Sequence, residues 1–254
     1  MIRFMSLSSG SKGNCSFIGT ENVMLLIDVG VSFGYLEKQL IKNDIDIDEI
    51  YGVLITHIHS DHISGLKQLI KRKNIKVLIP EKMKNEVLEF VNEEYIEVID
   101  DFTNMFDLNI NLIYTSHDTE CSVGYLFEND ETSLVYITDT GYVNRKYLKV
   151  INNKDVYFLE SNHDEAMLMD GPYPYHLKQR VISDYGHLSN NMTAKYLKSI
   201  VGEKTKCIIL AHVSEKNNTY ELAYDTIKDK LDMINYNGEL FVAKQNEVTK
   251  LVEV

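Results

Sequence analysis

Three prolines in 254 residues, two of them close together at Pro172 and Pro174, leave no proline-rich linker, and no Gly- or Ser-rich stretch divides the chain. A chain of this length without such a break reads as one large domain, residues 1–254, with enough core to fold without covalent staples. Cysteine is just as scarce. Cys15, Cys121 and Cys207 are far apart and show no zinc-ribbon or redox spacing, so buried reduced thiols are expected. No apolar run approaches the roughly 20 residues that span a bilayer. The start, Met1-Ile2-Arg3-Phe4-Met5, also lacks the apolar core of a signal peptide. A cytoplasmic protein without membrane contact is the expectation. Positive charge is short as well: 26 Lys and Arg face 38 Asp and Glu, a net −12. That excludes a general nucleic-acid coating surface, which needs cations to neutralise phosphates. It leaves open a phosphate substrate at a site where bound cations invert the local sign. The one dense basic stretch, Lys71-Arg72-Lys73 with Lys67 a turn earlier, reads as a complement to a helix C-terminal dipole.

What is present is ordinary for a folded protein, with 44% hydrophobic and 25% charged residues. Short strands are predicted at Ile2–Leu7, Asn14–Ile18 and Val23–Ile27, the last running into Asp28-Val29-Gly30. The loop Ser8-Ser9-Gly10-Ser11-Lys12-Gly13-Asn14 is rich in Gly and small hydroxyls, so either its amides face an anion or it is a hairpin connection. Ser32 is placed to cap a helix carrying Tyr35, Leu36, Leu40 and Ile41. A second helix carries Ile63, Leu66, Leu69 and Ile70 and ends near Asn74; Val77–Ile79 is a strand stopped by Pro80. Further strands are expected at Ile96–Ile99, Ile110–Tyr114, Val123–Phe127, Leu134–Ile137 and Cys207–Leu210. Asn190-Asn191 are placed to cap a helix with Met192, Tyr196, Leu197, Ile200 and Val201 on its apolar face. The elements alternate in two successive halves, each beginning with β-structure, and no internal repeat is visible.

The chemistry concentrates in Thr56-His57-Ile58-His59-Ser60-Asp61-His62, directly after the apolar Val53-Leu54-Ile55. Neutral imidazole and aspartate oxygen are ligands for borderline and hard metals. His57 and His59 are two apart and project to the same side of an extended segment. Asp61 and His62 fall where a helix begins and point elsewhere, so the spacing suggests two metals. More ligands are then needed, and three strand ends offer them: His117 after Tyr114-Thr115-Ser116, Asp139 after Ile137-Thr138, and His212 after Leu210-Ala211.

His-x-His-x-Asp-His followed by His, Asp and His at later strand ends resembles the metallo-β-lactamase superfamily, over nearly the full chain. The resemblance implies an α/β (α+β) four-layer αββα sandwich, two mixed β-sheets flanked by helices. It implies that His57, His59 and His117 hold one divalent ion and Asp61, His62 and His212 the other, with Asp139 bridging. Asp28 fits the acidic residue that ends the third strand in that family. Asp139 stands where secreted β-lactamases commonly have Cys, and His59 where flavodiiron proteins have Glu, which argues for hydrolysis other than of antibiotics. Residues 140–211 are too few for the nuclease insertion of RNA-processing relatives. The segments Leu159–Asp164, Gly186–Asn191 and Leu210–Asn218 are similar to those of the bacterial YycJ/WalJ group, which implies phosphodiester hydrolysis and exonuclease activity on DNA.

The expectation is therefore a metal-dependent hydrolase, a dinuclear phosphodiesterase of the exonuclease kind. It would use zinc or manganese, since a His and Asp donor set suits both, and no organic cofactor. Two ions about 3.5 to 4 Å apart activate a shared water and clamp a phosphoryl group. Asp61, Asp139 and His187 are the candidate catalytic residues, His187 toward the leaving oxygen. Ser11, Lys12, Asn14, His163, Ser189 and Asn190 are candidate substrate contacts. A thioester or lactone hydrolase and a cyclic-nucleotide-type phosphodiesterase stay open as alternatives, as does the oligomeric state.

Overall fold

The computed structural model describes residues 1–254. Two seven-stranded mixed sheets form its centre. The first is built from β1 (Arg3–Ser8), β2 (Cys15–Gly19), β3 (Met24–Ile27), β4 (Gly52–Leu54), β5 (Lys76–Pro80) and β6 (Ile96–Ile99). The second takes β7 (Phe102–Met105), β8 (Leu108–Tyr114), β9 (Val123–Glu128), β10 (Ser133–Ile137), β11 (Val156–Glu160), β12 (Cys207–Ala211) and β13 (Glu239–Val242). The C-terminal β14 (Val252–Glu253) returns to pair with β1. In the first sheet β1 to β3 are antiparallel and β3 to β6 parallel. In the second, β7 to β10 are antiparallel and β10 to β13 parallel. The two halves thus repeat a topology that no sequence repeat betrays, because layered packing demands only the pattern of apolar faces.

Alternation along the strands sorts the second sheet's side chains into two cores. Tyr125, Phe127, Tyr136, Phe158 and Ile209 face the first sheet, where Phe158 meets Phe4 edge-on at 5.2 Å and stacks on Tyr136 at 4.6 Å. Their neighbours Leu126, Val135, Tyr157, Leu159 and Ile208 face outward onto helices.

Nine helices complete the layers: α1 (Phe33–Lys42), α2 (Ser60–Ile63), α3 (Leu66–Lys73), α4 (Lys84–Leu88), α5 (Arg145–Leu148), α6 (Glu165–Asp170), α7 (Tyr175–Ile182), α8 (Asn190–Ile200) and α9 (Tyr220–Asp232). Ser32 caps α1 as expected, its hydroxyl accepting from the Tyr35 amide at 3.3 Å. The cap of α8 is Ser189, not Asn190-Asn191; its hydroxyl accepts from the Met192 amide at 3.2 Å, and Asn190 is already the first helical residue. The α8 residues Ala194, Leu197 and Ile200 and the α9 residues Ala223, Ile227 and Leu231 bury onto the second sheet. All three cysteines are buried free thiols. No helix is long and apolar enough to cross a membrane.

Candidate active site

Parallel neighbours bring distant residues together. Because β10, β11 and β12 run parallel with Ile137, Leu159 and Leu210 in register, the residues just beyond share one edge: Asp139, Glu160 and His212. Antiparallel β9 lies between β8 and β10, so β8 also ends at this edge, and His117 follows it. In the first sheet the parallel pair β3–β4 likewise delivers Asp28 and His57. Ligand sites lie outside the carboxyl ends of parallel strands for this reason. Asp28, Asp139 and His212 all adopt left-handed backbone, with φ of 58°, 53° and 52°. Such a conformation costs about 1–3 kcal/mol in a non-glycine residue and clusters where function holds it.

Three loops touch at the strand ends, and the touch requires glycine. A Cβ on Gly30 would fall 1.6 Å from the Asp61 carbonyl oxygen, and one on Gly13 2.3 Å from the Gly30 oxygen. Closeness lets the Asn14 amide donate to the Asp61 oxygen at 2.7 Å and the Val29 amide to the His62 oxygen at 2.7 Å. The segment leading through α2 is therefore pinned from both sides.

The side chains form overlapping groups whose donor atoms lie within 4.8 Å of one another: His57, His59 and His117; His57, His62 and Asp139; Asp61, His62 and His212. Asp139 stands between them, Oδ2 at 3.3 Å from His62 Nε2 and Oδ1 at 4.0 Å from His117 Nε2. In four imidazoles the outer nitrogen is already occupied. Nδ1 of His57 meets Thr56 Oγ1 at 3.1 Å, His62 meets Asp28 at 2.8 Å, His117 meets the Gly186 carbonyl at 3.3 Å and His212 meets Glu160 at 3.0 Å. Outer partners of this kind fix the tautomer and orientation of metal-binding histidines. The buried His57 Nε2, His212 Nε2 and Asp139 Oδ2 have no hydrogen-bond partner in the protein. An unpaired buried polar atom is costly, and a cation would relieve all three. The residues present fit a metal.

Electrostatics agree. Burial disfavours ionisation of Asp139, yet His212 and then His62 outweigh it and hold the carboxyl well below its ordinary range. Burial likewise favours neutral His62, but Asp28 and Asp139 raise its pKa to about 10. Burial and the neighbouring His62 hold His57 well below the usual imidazole value. Clustered carboxylates thus concentrate positive charge at the inner face of the site.

Against this geometry, a family model for a beta-lactamase superfamily domain matches residues 24–212. The chain belongs to the metallo-β-lactamase superfamily. Within it, the chain is 35% identical to exodeoxyribonuclease YycJ of Bacillus anthracis over 246 residues, 94% of this chain and 93% of that one. It is 35% identical to exodeoxyribonuclease WalJ of Streptococcus pneumoniae over 266 residues, 99% and 98% of the two chains. The metallo-β-lactamase fold protein YhfI of Bacillus subtilis superposes with a TM-score of 0.72 at 15% identity, covering 98% of this chain and all of that one. The two mixed sheets flanked by helices are this superfamily's fold.

Superfamily membership leaves the surrounding residues to be assigned by position. Glu160, absent from the candidate residues drawn from sequence, is fully buried; Oε1 lies 2.8 Å from His187 Nδ1 and 3.0 Å from His212 Nδ1, while Oε2 accepts from the Thr140 and Leu188 amides. Burial opposes its charge, but His187 and His212 outweigh that and lower its pKa. The available signal was a lone acid closing the apolar run Val156–Leu159. Asp118 was missed too; its Oδ1 lies 3.5 Å from His59 Nε2 and 3.4 Å from His117 Nε2, and its Oδ2 accepts from Arg180 Nε at 2.7 Å.

Of the candidate substrate contacts, Ser11 lines a hollow of about 160 Å³ together with His117, Tyr173, Arg180 and the candidate catalytic His187. Asn14 is buried, its Nδ2 3.0 Å from His62 Nε2 and 3.3 Å from Asp61 Oδ2, so it braces the cluster. The other residues turn away. Lys12 Nζ pairs with Glu215 at 2.5 Å. Ser189 is spent capping α8 and donating to Glu165, and Asn190 Oδ1 accepts from Ser161 and Asn218. His163 is buried, with its Nδ1 unpartnered, and burial lowers its pKa to about 4. Nor does the glycine-rich loop present its amides to an anion. Gly10 donates to Asn14 Oδ1, Lys12 to Gln245 Oε1 and Gly13 to the Gly10 carbonyl.

Proposed function

We propose that the chain, as one domain, is a dinuclear phosphodiesterase that degrades DNA as an exonuclease. The observation that carries the reading is Asp139, a buried carboxylate within reach of both imidazole groups, each carrying an unpartnered Nε2. The choice of DNA follows the two exodeoxyribonucleases to which it is 35% identical over nearly its whole length.

His57, His59 and His117 would hold one ion and Asp61, His62 and His212 the other, with Asp139 within reach of both groups. Two divalent ions there, zinc or manganese, would supply an activated water and charge stabilisation at a phosphoryl group. The chain's own part is orientation and proton handling. Asp28 and Glu160 keep the His62 and His212 rings aimed inward. His187, its Nδ1 fixed on Glu160 at 2.8 Å, keeps Nε2 to give a proton to the leaving oxygen.

Side-by-side assays decide the substrate class. The manganese-loaded protein is expected to release mononucleotides from an end-labelled DNA strand and to hydrolyse bis(p-nitrophenyl) phosphate faster than an acyl thioester. Preference for the thioester would overturn the assignment.

A further inference from the structure

An enzyme of net charge −12 that cleaves DNA must offer the strand a local run of cations, and the surface beside His117 carries one. His117 also lines a second hollow, of about 330 Å³, together with Lys82, Lys146, Tyr142 and Tyr185. Tyr142 and Asn144 belong to its wall. They also line the next one, of about 510 Å³, which runs between α5 and α8 past Arg145, Lys195 and Tyr196. The two hollows make one path from the metal cluster outward.

Its cations are not paired to acids, whereas lysines such as Lys73 and Lys154 are tied to Asp48 and Glu128, each at 2.7 Å. On the path, Lys82 lies over the Tyr114 ring at 4.6 Å and Lys146 over Tyr147 at 4.7 Å. Arg145 and Lys195 stand exposed, and Glu120 is the one carboxylate on the lining of either hollow. Tyr142 and Tyr185 are exposed at 38% and 62%. Exposed rings between unneutralised cations form the arrangement that stacks unpaired bases while tracking their phosphates. Paired bases present no free face to such rings.

We propose that the path Lys82–Tyr185–Lys146–Tyr142–Arg145–Lys195 binds the uncleaved, single-stranded part of a polynucleotide whose scissile end lies at His117. This rests on the phosphodiesterase reading, and the test separates the two. Binding of a fluorescein-labelled thymidine strand of about 16 nucleotides is measured by anisotropy, with an Asp139→Asn background in all proteins so that the strand survives. Replacing Lys82, Lys146 and Lys195 together by alanine is expected to raise Kd about tenfold or more and to reduce the slope of log affinity against log salt by about 2. Replacing Lys38, Lys42 and Lys71 on α1 and α3 is expected to change neither, and melting curves verify that both triple variants fold. An unaltered Kd and slope in the first variant would overturn the path, and a duplex bound as tightly as the strand would overturn its assignment to single strands. Should the path variant lose binding while the unmodified protein hydrolyses no phosphodiester, the reaction falls and the path stands.

Discussion

Replacing Asp139 by alanine is expected to lower phosphodiester hydrolysis about a thousandfold or more, the effect of losing several kcal/mol of charge stabilisation. Its Oδ2 stands 3.3 Å from His62 Nε2, and its Oδ1 stands 3.2 Å from His212 Nδ1 and 4.0 Å from His117 Nε2, so one carboxylate reaches both halves of the cluster. Removing it leaves imidazoles from both halves facing each other across a gap. The scaffold does not depend on it, because the strands that deliver those imidazoles are held by their own ladders and by the two cores. Circular dichroism of the variant should match that of the parent while bound metal per chain falls. Turnover within tenfold of the parent would refute the bridging role.

The second large effect is expected at Glu160, a residue that would touch neither metal nor substrate. Glu160→Gln keeps the size and can still accept at one oxygen, but it replaces a charge facing two Nδ1 atoms by an amide. Losing such an outer partner typically weakens metal affinity or activity by 10- to 100-fold. The loss should be one-sided. Affinity of the ion held by Asp61, His62 and His212 falls, while the His57, His59 and His117 group, whose outer contacts are to Thr56 and Gly186, is preserved. Calorimetric titration that resolves two binding steps would show this asymmetry, and equal weakening of both steps would contradict it.

The first half of the site was legible in the sequence because it is local. His57 to His62 lie in one stretch after a buried strand, and strand and helix geometry alone divides them into two sets. His117, Asp139 and His212, which the fold brings to the same cluster, were legible as polar residues closing apolar strands. Glu160 closes a strand in the same way, but its role depends on β11 lying between β10 and β12, which is a fact of sheet order. Local signals carry no sheet order. The same gap explains Ser189 and Asn190: their residue types suit a substrate contact, but the bridge between His163 and Ser189 turns them into the cap and first turn of α8. The glycine-rich loop was ambiguous for a related reason. Its glycines serve a close approach to Gly30 and Asp61, segments distant in sequence. The fold class was readable through the strand-end motif that resembles a known family, whereas the short α6 and α7, which flank Tyr173 and carry Arg180 at the hollow beside His187, had too few turns to show a period.

Two ions on this residue set would make the chain a DNA-cleaving hydrolase. Chelator-stripped protein titrated with manganese or zinc, with bound metal and mononucleotide release from an end-labelled DNA strand followed together, tests it most directly. No release is expected from the stripped protein, and a maximum is expected at two ions per chain. Full release without metal, or none with two ions bound, would contradict it.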